Sequence, residues 1–106
     1  MLKKKICSLS QLKNEKFIKL WVDEFKDEII LFINNKKIYI KSSICPHFGG
    51  PITYDKDNNY LFCYWHGLKF AINGKCLNQK GFKSCLDDYK YELKDNFIYL
   101  IKNENT

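Results

Sequence analysis

The sequence predicts an all-β fold, an antiparallel β sandwich or barrel framework. Short runs of β-branched and aromatic residues recur at close spacing, polar Asn, Asp and Gly pairs separate them, and no long amphipathic helical period is present. With 106 residues, the chain has the length of one small domain, here taken as residues 1–106. Its 45% hydrophobic and 16% aromatic content suits a packed globule and not a disordered chain.

Taken in order, residues 8–15 hold a helical turn or two, with Ser8 or Ser10 as the cap. Residues 17–22, 29–33 and 37–41 are strands, and Asn34-Asn35 turns the second into the third. The run Lys37-Ile38-Tyr39-Ile40-Lys41 alternates with period two, as a half-buried strand does. Residues 61–64 and 68–72 are further strands, the latter followed by the turn Asn73-Gly74. Asp95-Asn96 joins a final pair at 89–93 and 97–101. Trp21 is assigned to the core.

The net charge of +6 comes from 18 lysines and no arginine. Arginine is the side chain suited to bidentate phosphate and base contacts, so its absence, with the lysines scattered along the chain, argues against a nucleic-acid partner. Compositional bias toward Lys, Asn, Ile and Tyr explains the charge, with a basic docking face as the alternative. No apolar run approaches the roughly 18 residues of a membrane span. Lys3-Lys4-Lys5 has the start of a leader sequence, but Ser8, Ser10 and Gln11 interrupt the apolar stretch that should follow. A cytoplasmic location is expected. In that reducing compartment Cys7, Cys76 and Cys85 are free thiols, and a Cys76–Cys85 disulfide is the less favoured alternative.

The chemistry sits between the strands. Cys45-Pro46-His47 is followed, after a gap long enough for a strand and turn to return the chain, by Cys63-Tyr64-Trp65-His66. Together they hold both histidines of the chain, in two tight loops that can aim four ligands at one point. The region 45–66 therefore has the character of a small metal-binding β subdomain inserted between framework strands, occupying approximately 44–68. Two thiolates and two imidazoles suit tetrahedral zinc, so spacing alone leaves structural zinc open. Against it, each loop supplies one ligand of each kind. Such mixed pairing suits two metal centres, one taking both thiolates and the other both imidazoles, as in a Rieske cluster.

Cys45-Pro46-His47-Phe48-Gly49-Gly50-Pro51-Ile52 and Cys63-Tyr64-Trp65-His66-Gly67-Leu68-Lys69-Phe70, then Asn73-Gly74, resemble the two cluster loops of Rieske-type 2Fe-2S ferredoxins almost position for position. The resemblance extends over most of the chain, to a closing hairpin ending in Phe97-Ile98-Tyr99-Leu100. It implies the Rieske fold, one 2Fe-2S cluster, and the ligand set Cys45 and Cys63 on one iron with His47 and His66 on the other. It also implies that Gly49, Gly50 and Gly67 let the backbone approach the cluster, plain turn glycines being the alternative. Trp65 is either a shield for the cluster or an ordinary core aromatic.

Departures from the high-potential respiratory relatives are informative. Gly50 and Trp65 stand where those carry a cysteine pair joined as a disulfide, and Leu68 and Phe70 stand where they carry a serine and a tyrosine hydroxyl. Without those hydroxyl donors the reduced cluster is less stabilised, so the potential should lie toward the low end of the roughly −150 to +300 mV range of such centres. Residues 81–86 contain no proline, unlike the third loop common in the family, although Phe82 or Leu86 can still cover the site.

Once the cluster is made no histidine remains for a mononuclear iron site, so the chain is not by itself an oxygenase and has no catalytic residues of its own. The resemblance implies a small monomeric electron carrier. Its donor would be a flavin-dependent NAD(P)H reductase, and its acceptor a terminal oxygenase or other oxidoreductase. The runner-up readings are a small Rieske subunit of a nitrite reductase-type complex and a zinc-stabilised binding module.

Overall fold

The structure is a computed structural model and describes residues 2–44, 51–63, 67, 69–73, 75, 77 and 88–102. Its elements are β1 (Leu2–Ser8), α1 (Leu9–Asn14), β2 (Ile18–Val22), a short 3-10 turn (Asp23–Phe25), β3 (Asp27–Asn34), β4 (Lys37–Ser42), β5 (Ile52–Asp55), β6 (Tyr60–Cys63), β7 (Lys69–Phe70), β8 (Lys90–Lys94) and β9 (Phe97–Lys102). They form three antiparallel sheets, ordered β1-β9-β8, β2-β3-β4 and β5-β6-β7. The all-β antiparallel framework with a small inserted sheet is the expected architecture.

The β2-β3-β4 sheet lies in the middle because β3 is apolar on both faces. Ile29 and Leu31 point into a core with Val22, Phe25 and Ile40 of the same sheet and its 3-10 turn, Leu12 of α1, and Cys7, Ile98 and Leu100 of the terminal sheet. Ile30 and Phe32 point the other way, into a core with Ile52, Tyr54, Leu61, Cys63 and Phe70 of the inserted sheet. All four of these β3 residues are fully buried. A strand covered on both sides reads as a continuous apolar run, and Ile29-Ile30-Leu31-Phe32 is one. Phe32 stacks on Tyr54 at 4.0 Å between ring centroids and on Tyr39 at 5.4 Å, so aromatic contact holds the inserted sheet to the framework.

Local chemistry sets the turns and the cap. Ser8 caps α1, its hydroxyl accepting from the Gln11 N–H at 3.0 Å. The first hairpin turns at Asn35-Lys36, one residue beyond the expected Asn34-Asn35, with both residues at positive φ. Asn34 remains in the strand, and its amide donates to Asn59 Oδ1 at 2.9 Å. Asp95-Asn96 makes the second hairpin as expected, again with both residues at positive φ.

One strand and two single residues depart from expectation. Residues 2–8 form a full strand, paired with β9, where the lysine run suggested only a leader-like start. Trp21 is 55% exposed and not core, because β2 is an edge strand and the adjacent Val22 takes the inward position. Lys41, at the end of an alternating run, is fully buried. No helix among the described residues is long and apolar enough to cross a membrane.

Candidate metal centre

Of the four expected ligands, Cys63 lies within the described residues, whereas Cys45, His47 and His66 lie outside them. Among the described residues no three His, Cys, Asp or Glu side chains come together as a metal site. The structure fixes the roots from which both ligand loops depart. Cys63 is the last residue of β6 and pairs in register with Ile52, the first residue of β5. Ile44 and Pro51 form an isolated antiparallel bridge that closes the base of residues 45–50. The first loop thus opens and closes beside the strand end from which the second begins.

Hydrogen bonds tie this junction to the framework. The Ile52 N–H donates to the Ser43 carbonyl at 2.8 Å, and the Ser43 N–H donates to the Glu28 carbonyl at 2.7 Å. The Ser43 hydroxyl faces Glu28 Oε1 at 2.6 Å, and Glu28 pairs with Trp21 across β2 and β3. One transverse row therefore runs Trp21, Glu28, Ser43, Ile52, Cys63, from an exposed edge to a candidate ligand.

Cys63 is fully buried and is not in a disulfide. Its carbonyl accepts the Gly67 N–H at 2.9 Å, which bends the chain after β6. Gly67 has φ +66°, and among the described residues a Cβ there would meet nothing within 4 Å. Glycine adopts this backbone conformation without the Cβ strain another residue would carry. Gly49, Gly50, Trp65 and Leu68 lie outside the described residues. Phe70 is fully buried in the same core as Cys63, an apolar wall without a hydroxyl. The expected turn after β7 is present, with the Lys75 N–H donating to Asn73 Oδ1 at 3.0 Å and the Ala71 N–H to the Lys75 carbonyl at 2.8 Å; Gly74 is outside the described residues.

Of the remaining cysteines, Cys7 is buried and free, and burial pushes its thiol up, away from the reactive thiolate. Cys76, Cys85, and with them the alternative disulfide, lie outside the described residues, as do residues 81–86. Ser43 and Lys41 were not singled out by motif. A serine before the first loop carries no pattern of its own, and the alternation around Lys41 is that of an exposed lysine.

A buried thiol at the junction of two closed loop roots, with one cysteine and one histidine in the sequence of each loop, is a donor set that fits a mixed thiolate and imidazole centre. Comparison with known families decides its kind: residues 3–90 match the Rieske [2Fe-2S] domain. The chain belongs to this family. Its cofactor is a single 2Fe-2S cluster, and electron transfer is the chemistry such a cluster supplies.

Solved structures repeat the Rieske fold. The plasma membrane Rieske protein PetC3 from the cyanobacterium Synechocystis PCC 6803 superposes with a TM-score of 0.78 at 22% identity, covering 92% of this chain and 98% of that one. The ferredoxin of carbazole 1,9a-dioxygenase from Nocardioides aromaticivorans gives 0.70 at 17% identity, covering 94% and 99%. A putative NADH-dependent nitrite reductase small subunit from Mycobacterium tuberculosis gives 0.65 at 15% identity, covering 93% of each chain. At such identities the likeness is one of fold. Among curated proteins no match was found.

Proposed function

We propose that this Rieske chain is a one-electron carrier, a single domain over residues 1–106 whose cluster-binding subdomain spans approximately 44–68. Cys45 and Cys63 hold one iron and His47 and His66 the other. The observation that carries the reading is the junction itself: Ile52 paired with Cys63 beside the Ile44–Pro51 bridge sets the two loop roots at one sheet end, as four converging ligands require.

Bound there, the cluster takes up and gives back one electron, and neutral imidazoles in place of two thiolates make its reduction easier than in an all-cysteine centre. The protein's own residues supply the setting. Burial of Cys63 keeps water from its sulfur, and Phe70 adds bulk in the same core without a hydrogen-bond donor. The lack of that donor supports a potential at the low end of the family range. Ser43 holds the root of the first loop to β3 and β5.

The donor in this proposal is a flavin-dependent NAD(P)H reductase in the cytoplasm, and the acceptor is a terminal oxidoreductase such as a Rieske oxygenase. The end-to-end likeness to the ferredoxin of carbazole 1,9a-dioxygenase supports this arrangement. A second reading, the small subunit of a reductase complex, is favoured by the apolar side chains left exposed on edge strands, Trp21 on β2 with Tyr91 and Leu93 on β8.

The test is anaerobic purification followed by iron and sulfide analysis and an absorption spectrum. Two irons and two sulfides per chain with a reversible one-electron couple are expected, and a colourless zinc protein would overturn the proposal. Co-purification with a large subunit would favour the second reading.

A further inference from the structure

Lys41 is the one lysine among the described residues whose side chain is wholly removed from solvent. Its ammonium donates to Asp88 Oδ1, and that carboxylate is 57% exposed. The backbones of the two residues also form an isolated antiparallel bridge, supported by the Tyr89 N–H donating to the Ile40 carbonyl at 2.8 Å. The pair is therefore asymmetric. Water screens the negative end and leaves the positive end unscreened, so the net field inside the protein is positive.

Strand alternation shows where that field acts. Ile38 and Ile40 face the core shared with the terminal sheet, whereas Tyr39, and with it Lys41, faces the core that contains Cys63. Across the sheet Lys41 pairs with Ile30, a fully buried member of that core. Ser43 lies one same-face step further along the chain, about 7 Å, and leads through Ile52 to Cys63 across two strand spacings of about 4.8 Å each. The Cα positions of Lys41 and Cys63 are then on the order of 12 Å apart.

Resting on the proposed electron-carrier function, we propose that Lys41 sets the reduction potential of the centre, acting as a buried positive charge that stabilises the reduced and more negative state. One negative charge added at the centre that Cys63 helps to hold is attracted by the Lys41 charge, here taken at that same separation of about 12 Å. At an effective dielectric of about 20, that attraction favours reduction by about tenfold. Glu28 also lies near this junction, through its bonds to Ser43. It is common to the parent and the variants, so the difference between them isolates Lys41.

The test is a redox titration of the cluster-loaded protein and of Lys41→Met, Lys41→Gln and Lys41→Arg, each first shown by absorption to hold the same cluster. The two neutral variants should lower the reduction equilibrium by about tenfold, ~59 mV for a one-electron couple. Arg, which keeps the charge, should stay within about threefold of the parent. If Met does not fold in place of the lysine, Gln makes the same removal of charge and decides alone. Neutral variants with an unaltered spectrum and an unshifted potential would overturn this inference and leave the electron-carrier reading intact, as would an Arg variant that falls with them. A parent protein without a 2Fe-2S spectrum would overturn both.

Discussion

Ser43→Ala tests whether the junction beneath the ligand loops is held as the structure implies. The Ser43 hydroxyl is buried and faces Glu28 Oε1 at 2.6 Å and the Glu28 carbonyl at 3.1 Å, while its one proton can serve only one of them well. A hydrogen bond to a charged group contributes about 1.5–3 kcal/mol net. Glu28 is not fully buried, so its carboxylate can turn to water after the change, which places the loss near the lower end, about 1.5 kcal/mol. For a domain of this size that lowers Tm by roughly 6–12 °C. The assay is urea unfolding of the loaded protein, followed in parallel by far-UV circular dichroism and by cluster absorption. Because the Ser43 carbonyl also receives the Ile52 N–H beside Cys63, the two signals should shift together. A loss under about 0.5 kcal/mol, or a cluster transition that stays in place while the fold transition moves, would refute the reasoning.

Other positions give independent checks. Phe32→Ala removes a fully buried ring stacked on Tyr54 and Tyr39 and should destabilise the protein by about 3–5 kcal/mol in the same urea assay; a loss below about 1 kcal/mol would contradict the central place given to β3. Gly67→Ala meets no neighbour among the described residues but must hold φ +66°, so a loss of about 1 kcal/mol is expected, and a neutral or stabilising result would contradict it. The Asn58 side-chain amide, with further backbone N–H donors, holds the Asp55 carboxyl below its ordinary value, and Lys3 does the same for Glu92. With folded values below unfolded ones, their stabilisation is complete above the ordinary carboxylate range near pH 4 and is lost as pH falls through the folded values. Asp55→Asn should therefore flatten the acid limb of stability, read from urea midpoints at about pH 3 and pH 6, and an unchanged acid slope would count against this.

Hairpins were legible in the sequence because their determinants are local. Asp95-Asn96 fell where expected, and the Asn34-Asn35 turn missed by one residue because two successive positive-φ positions were needed and Asn34 was held in the strand. β1 was hidden because its partner β9 lies at the other end of the chain. Its lysines suit an edge strand: Lys3 pairs with Glu92, Lys4 with Glu24, and Lys5 lies over the Phe97 ring. β5 was foreseen only as a strand and turn returning the chain, and its residues, Ile52–Asp55, became clear from their pairing with β6. Trp21 and Lys41 exchanged their ordinary environments for tertiary reasons, an edge position for the tryptophan and a partner 47 residues away for the lysine. At the centre, Cys63 and the glycine after His66 are motif positions that the described residues include. That Cys63 lies opposite Ile52, and that Ser43 couples the loop roots to β3, depend on sheet register, which a motif does not carry.

Since His47 and His66 are the only histidines in the chain, labelling histidine nitrogen isolates the proposed imidazole ligands from every other nitrogen in the protein. Electron paramagnetic and electron–nuclear double resonance of the reduced, histidine-labelled protein tests the mixed-ligand centre most directly. Coupling of the unpaired spin to two histidine nitrogens is the predicted result. A reduced signal without histidine coupling, or no iron-sulfur signal at all, would contradict the account.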